Sequence, residues 1–208
     1  MDWFRRLDLR WLALVGGVGY AVAVTLIATQ ADTDPVGERY DAFNRVLGVA
    51  LAVVAVSAFA LRGRVLREGL QGRRAATALA IGVGALAVGS VLEFWGSLVA
   101  GEPASATADR TGEDAFAGAD VGFALFGIGC LVTLASALAL ARAVRGWPGV
   151  SSTTAIAVGS VGALNLAAFG LWTVSPLAAA IPGALFAFAW LAVASGAEQG
   201  GDPAPQPA

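Results

Sequence analysis

Few side chains in this sequence can do chemistry. Glu93 is a carboxylate set in an otherwise apolar run from Ala75 to Val99. Asn165 sits in a second such run, Val150 to Trp172, and Arg45 stands near the start of a third, Ala42 to Leu61. At a helical rise of about 1.5 Å per residue, Glu93 and Asn165 lie about 10 Å and about 12 Å from the same end of their helices. The Arg45 side chain is long enough to reach toward that level. The spacing therefore predicts a polar cluster of Arg45, Glu93 and Asn165. An ionisable group among apolar helices is normally paired or functional, and two roles fit this one. The cluster is either a structural clasp, with Arg45 neutralising Glu93 and Asn165 adding a hydrogen bond, or an ion, proton or solute site entered from one face.

Other chemistry has little to work with. The sequence has no His and no Lys, so all 13 basic residues are Arg. There is no imidazole for acid/base work or for a usual zinc or haem site, and no amine for a Schiff base. The single Cys130 lies among Gly129, Leu131 and Val132 and reads as a small core residue. Asp41 and Asp120 each open an apolar run, where a carboxylate caps free N–H groups and meets the positive end of the helix dipole. That reading is preferred over an aspartyl pair. Ser151, Ser152, Thr153 and Thr154 read as helix-start residues after Pro148, which fits the first turn of that helix. The acids between Glu102 and Asp120 show no ligand spacing and read as a solvated loop. No phosphate loop or paired-Cys metal motif is present. The expectation is no catalytic residues, no metal and no cofactor, hence not an enzyme. Net charge is −2, which argues against nucleic acid as a partner.

The elements that would position these residues follow from composition. Of 208 residues, 57 % are hydrophobic and 13 % charged, against about 25 % charged in ordinary soluble domains. Six apolar stretches approach the length of about 20 residues that a membrane-crossing helix needs: Trp11 to Ala28, Ala42 to Leu61, Ala75 to Val99, Val121 to Ala141, Val150 to Trp172, and Leu177 to Ala194. Pro182 should kink the last one or mark where its regular part begins. All the arginines except Arg39, Arg45 and Arg110 fall on one side of the resulting threading, and most of the acids on the other. Cytoplasmic loops are the arginine-rich ones. The fold class is thus all-α, a polytopic integral membrane protein with a six-helix transmembrane domain over residues 1–195, both termini in the cytoplasm, and a polar, disordered cytoplasmic tail over 196–208. Trp11, Trp147 and Trp190 fall near the arginine-rich ends and Trp95 and Trp172 near the acidic ends, as interfacial tryptophans do. The basic start and the small residues after Ala28 also fit a cleavable signal peptide, but the apolar run is long for one.

Glycines punctuate the runs that point away from the arginine-rich side: Gly16, Gly17 and Gly19, then Gly82 and Gly84, then Gly159 and Gly162. Small residues let helix backbones approach. Gly82, Gly89 and Gly96 share the helical face of Glu93, which should then point into the bundle along a groove of small residues. Asp41, Gly48, Ala58, Ala60 and Leu61 also match Asp120, Gly127, Ala137, Ala139 and Leu140 at one constant offset. This pattern fits a hairpin repeat whose odd-numbered helices line one interface, although a chain this rich in Ala, Gly, Val and Leu also matches itself by composition. The leading functional expectation is a non-enzymatic membrane module or partner subunit in a prokaryotic plasma membrane. Its partners would be the lipid bilayer and another membrane protein or a second copy. The alternative is a small transporter or channel that uses the cluster around Glu93.

Overall fold

The structure is a computed structural model, and it describes residues 8–33, 38–104, 107–108, 112–148, 150–171 and 176–199. Six helices account for most of them: α1 (Leu9–Thr33), α2 (Glu38–Arg67), α3 (Arg73–Ala100), α4 (Ala119–Val144), α5 (Ser152–Leu171) and α6 (Pro176–Gln199). Each is long and apolar enough to cross a membrane. They are apolar all round, as buried or lipid-facing helices are. The exterior confirms the pattern: Trp11, Val15, Val18 and Val22 form an exposed stripe on α1, and Phe123, Ile128 and Leu131 another on α4.

The helix ends show where local chemistry overrides the apolar pattern. α2 continues past Leu61 to Arg67, through Gly63, and carries Arg64 and Arg67 in its last turn, where basic side chains meet the helix dipole favourably, before the chain reverses at Gly69. The reversal into α3 uses Gly69 at φ 68° and Gly72 at φ 89°, a left-handed backbone that side chains disfavour. α3 stops at Gly101, φ 72°, whose N–H donates to Ser97 O, with Glu102 N–H closing on the same carbonyl. Ser151 caps α5, its Oγ accepting from Thr154 N–H at 3.2 Å. α5 therefore starts at Ser152, and Pro148 belongs to the connection and not to the helix's first turn. α6 runs without a break through Pro182 and ends at Gln199, so Gly196 to Gln199 are helical and not part of the polar tail. The rest of that tail lies outside the described residues, as do Trp172 and the start of the chain.

The helices form a closed ring in chain order. Each packs on its sequence neighbours, and α6 returns to α1. Contacts run antiparallel throughout: Gly16 against Val54 and Gly19 against Ala50, Gly17 against Ala187 and Gly183 against Val24, Gly48 against Ser90. The odd-numbered helices consequently alternate around the ring and share no substantial interface, contrary to the repeat expectation. Repeat-related positions also differ in environment. Gly48 lies tightly against Ser90 and Val91, whereas Gly127 has nothing within 4 Å. Asp41 is buried and Asp120 exposed.

The tightest seam joins α3 to α4. A methyl group on Gly89 would lie 2.5 Å from Gly122 O and 2.6 Å from Phe126 N. One on Gly129 would lie 2.8 Å from Leu86 N, and one on Gly82 2.8 Å from Thr133 N. These are backbone atoms, which cannot turn aside as a side chain does. Gly89→Ala should therefore destabilise the fold by about 1–3 kcal/mol through overpacking. Gly127→Ala, on the open face of the same seam, should be neutral or stabilising, since Ala is the better helix former by about 1 kcal/mol. Parallel unfolding titrations of the two variants in detergent check the contrast.

Candidate functional site

Glu93 faces into the bundle, with 6 % of its surface exposed. Its place is set by the α3–α4 seam: a side chain on Gly122 would come within 3.0 Å of the Glu93 Cβ. The expected face of small residues is present, with Gly82 and Gly89 meeting α4 and Gly96 lying under the Phe116 ring.

Arg45 does not neutralise Glu93. Its Nε donates instead to the main-chain oxygen of Phe94, at 3.0 Å. Trp95 Nε1 returns a bond to Arg45 O at 3.2 Å. The two contacts stitch α2 to α3 on the side away from α4. Arg45 thus meets α3 at the level of Glu93, through the Phe94 main chain and not the Glu93 carboxylate. The charged groups within electrostatic reach of Glu93 include the carboxylates of Asp41 and Asp120. Among the described residues no group of three His, Cys, Asp or Glu is arranged to hold a metal ion.

The acids at this end also depart from the capping expectation. Asp41 sits inside α2, past its start at Glu38, and accepts a hydrogen bond from Thr107 Oγ1 at 3.2 Å. Gly118 is the residue before α4, with no side-chain cap, and Asp120 sits in the first turn, where its charge still meets the helix dipole. The connection between α3 and α4 is not wholly a solvated loop. Ala104 and Ala108 are buried, Phe116 N–H donates to Pro103 O, and Phe116 covers Gly96 and Gly118. The acids Glu102, Glu113 and Asp114 are exposed there.

Asn165 belongs to a different set of groups. It is fully buried, accepts a hydrogen bond from the Tyr20 hydroxyl at 2.9 Å, and donates to Cys130 Sγ at 3.4 Å. Tyr20 is on α1 and Asn165 on α5, helices that are not neighbours, so this bond crosses the ring. A second crossing joins α6 to α2: Trp190 Nε1 donates to Ser57 Oγ at 2.6 Å, and Ser57 passes its own proton to Val54 O at 2.7 Å. The Tyr20, Phe186 and Trp190 rings stack along the interior, with centroids 4.2 Å and 6.2 Å apart. Trp190 is therefore a core residue and not an interfacial one. Trp147 is buried too, its Nε1 donating to Gln71 O at 3.1 Å, and it pins the α4–α5 connection onto the α2–α3 turn. Trp11 and Trp95 do sit at the surface.

Sequence reasoning missed Tyr20, Ser57, Cys130 and Trp190 as bonded groups. A signal for two of them was available: a Tyr hydroxyl or an indole N–H within an apolar run needs a partner. Thr133, on the same seam as Gly82, is fully buried and its Oγ1 has no hydrogen-bond partner. Two clefts open on the outer face of α3 near Arg73 and Arg74, about 30 Å along the helix from Glu93. No protein-family model, no curated protein and no solved structure matches this chain.

Two outcomes follow. Glu93→Gln should leave thermal stability unchanged or raise it, because Arg45 is engaged with the Phe94 carbonyl and among the described residues no arginine pairs with the carboxylate; a fall of several degrees in a melting scan would restore the clasp. A double-mutant cycle of Tyr20→Phe and Asn165→Leu should give a coupling of about 0.6–1.7 kcal/mol, the range for interhelical polar bonds in membranes.

Proposed function

We propose that the chain is a multi-pass protein of a prokaryotic plasma membrane, with both termini cytoplasmic, acting as a non-enzymatic membrane module or partner subunit. The observation that carries this reading is the filled ring. Tyr20–Asn165 ties α1 to α5 behind α6, and Trp190–Ser57 ties α6 to α2 behind α1, so each bond joins helices two places apart in the ring through buried side chains. A path for solute would have to break bonds that hold the ring's register. The lack of His and of Lys in the sequence supports a non-catalytic role.

With the interior closed, the working surface is the outside of the ring. The outward face of α4 presents Ala124, Gly127, Leu131 and Ala135 at helical spacing, all exposed. Gly127 has open space where a side chain would stand. Such a face admits a helix of another membrane protein, or of a second copy, to close backbone distance. A second reading, a small transporter or channel, is favoured by Glu93 itself, a buried carboxylate with Asp41 and Asp120 nearby.

Gly127→Cys tests the choice, since the native Cys130 is buried. Oxidation in native membranes should give a disulfide-linked adduct through position 127, and none through Phe188→Cys on α6. Absence of any adduct at 127, together with cation or proton flux in proteoliposomes that Glu93→Gln abolishes, would replace the partner reading with transport.

A further inference from the structure

The two clefts at the arginine-rich end share a mouth. The larger, about 830 Å³, runs between α3 and α4 over Ala78, Val132, Ala135 and Ala139. The smaller, about 310 Å³, runs along α3 itself past Thr77 and Ile81. Both are bordered by Arg73, Arg74 and Ala78 and diverge from there. The walls below the arginines are almost wholly apolar. α3 and α4 are drawn together at Gly82 and Gly129, and near this end the alanines Ala75, Ala78, Ala135 and Ala139 leave the larger opening between them. From Ala139 to Val132 the larger cleft descends about 10 Å along α4.

Arg73 and Arg74 are exposed, and neither is paired with a carboxylate among the described residues. Arg62, the next basic group along, is engaged with Thr77 Oγ1 at 3.1 Å. Two open guanidiniums thus border an open apolar groove between α3 and α4 and a second, shallow apolar strip along α3 itself. Guanidinium recognises phosphate by paired N–H donors, and a zwitterionic headgroup offers less net charge to it. A branched apolar floor calls for two chains.

We infer that this site holds one anionic diacyl phospholipid, its phosphate on Arg73 and Arg74 and its acyl chains in the two clefts. The inference rests on the membrane placement proposed above but on neither of the functional readings. It differs from general attraction of arginine loops to a charged surface, because the apolar clefts make the affinity depend on the lipid's chains as well as on its charge.

Native mass spectrometry of the full chain in detergent, titrated with dioleoyl phosphatidylglycerol or phosphatidylcholine, tests it. The glycerol lipid should be retained as a one-to-one adduct and the choline lipid released. Arg73→Gln and Arg74→Gln should each weaken retention about fivefold, the effect of one basic group at an anionic surface, whereas Arg67→Gln on α2 should not. Ala135→Leu, which fills the larger cleft from an exposed position without entering the glycine seam, should weaken retention with the arginines intact. Equal retention of both lipids, or insensitivity to Arg73→Gln and Arg74→Gln, would overturn the site. Displacement by millimolar inorganic phosphate, with Ala135→Leu silent, would overturn the lipid in favour of a free anion. A chain that stays soluble without detergent would instead sink the membrane placement beneath both proposals.

Discussion

Everything in this fold depends on how closely the backbones of α3 and α4 approach. Gly82 and Gly89 on one helix and Gly122 and Gly129 on the other recur at the same interval and face each other in antiparallel register. Between helices this apolar, small residues that let backbones approach gain dispersion through close packing. Backbones that meet without intervening side chains also bring Cα–H groups onto facing carbonyls. The remaining seams use the same device more sparingly: Gly16 on Val54, Gly17 on Ala187, Gly162 on the Leu134 backbone. A ring in chain order results, because every seam is satisfied by the helix that follows or precedes in sequence.

Close seams alone do not fix which residues face the interior. The cross-ring bonds do that. Tyr20, Asn165, Ser57 and Trp190 carry polar groups that water cannot reach, and each unpaired group would cost about 1–3 kcal/mol. The bonds themselves contribute less than that, about 0.6–1.7 kcal/mol each in a membrane setting. Their main effect is therefore selective: rotating α1 or α6 by one position strands a hydroxyl or an indole N–H. Thr133 is the exception, a buried hydroxyl left without a partner where Gly82 crowds it. The demand for closeness at the seam outweighs the demand for pairing at that residue.

What could be read from the sequence divides along the same line. The existence and approximate limits of all six helices were legible, because a run of about 20 apolar residues has few other uses. The inward face of Glu93 was legible from its glycines. The company Glu93 keeps was not. Arg45, Glu93 and Asn165 do lie at comparable depth, and depth is a matter of counting residues. Whether two residues meet depends also on their direction around each helix. Helices apolar on every side offer no amphipathic stripe from which to read that direction. Asn165 turned toward Tyr20 and Arg45 toward the Phe94 carbonyl, and only the order of helices around the ring decides this. The internal matches between Asp41–Leu61 and Asp120–Leu140 misled for a similar reason, since composition repeated while environment did not.

The two ends of the bundle put small residues to opposite uses. At the acidic end the space left by Gly96 and Gly118 is filled by the Phe116 ring, and Thr107 reaches back to Asp41, so the connection between α3 and α4 lies down on the helices and seals them. At the arginine-rich end the α2–α3 reversal is tight, Trp147 holds it from beneath, and no comparable ring descends over Ala78, Ala135 and Ala139. Alanines there keep α3 and α4 close without filling the outer side of their contact. The α3–α4 contact is thus covered at one end and, among the described residues, open at the other, where Arg73 and Arg74 border the opening.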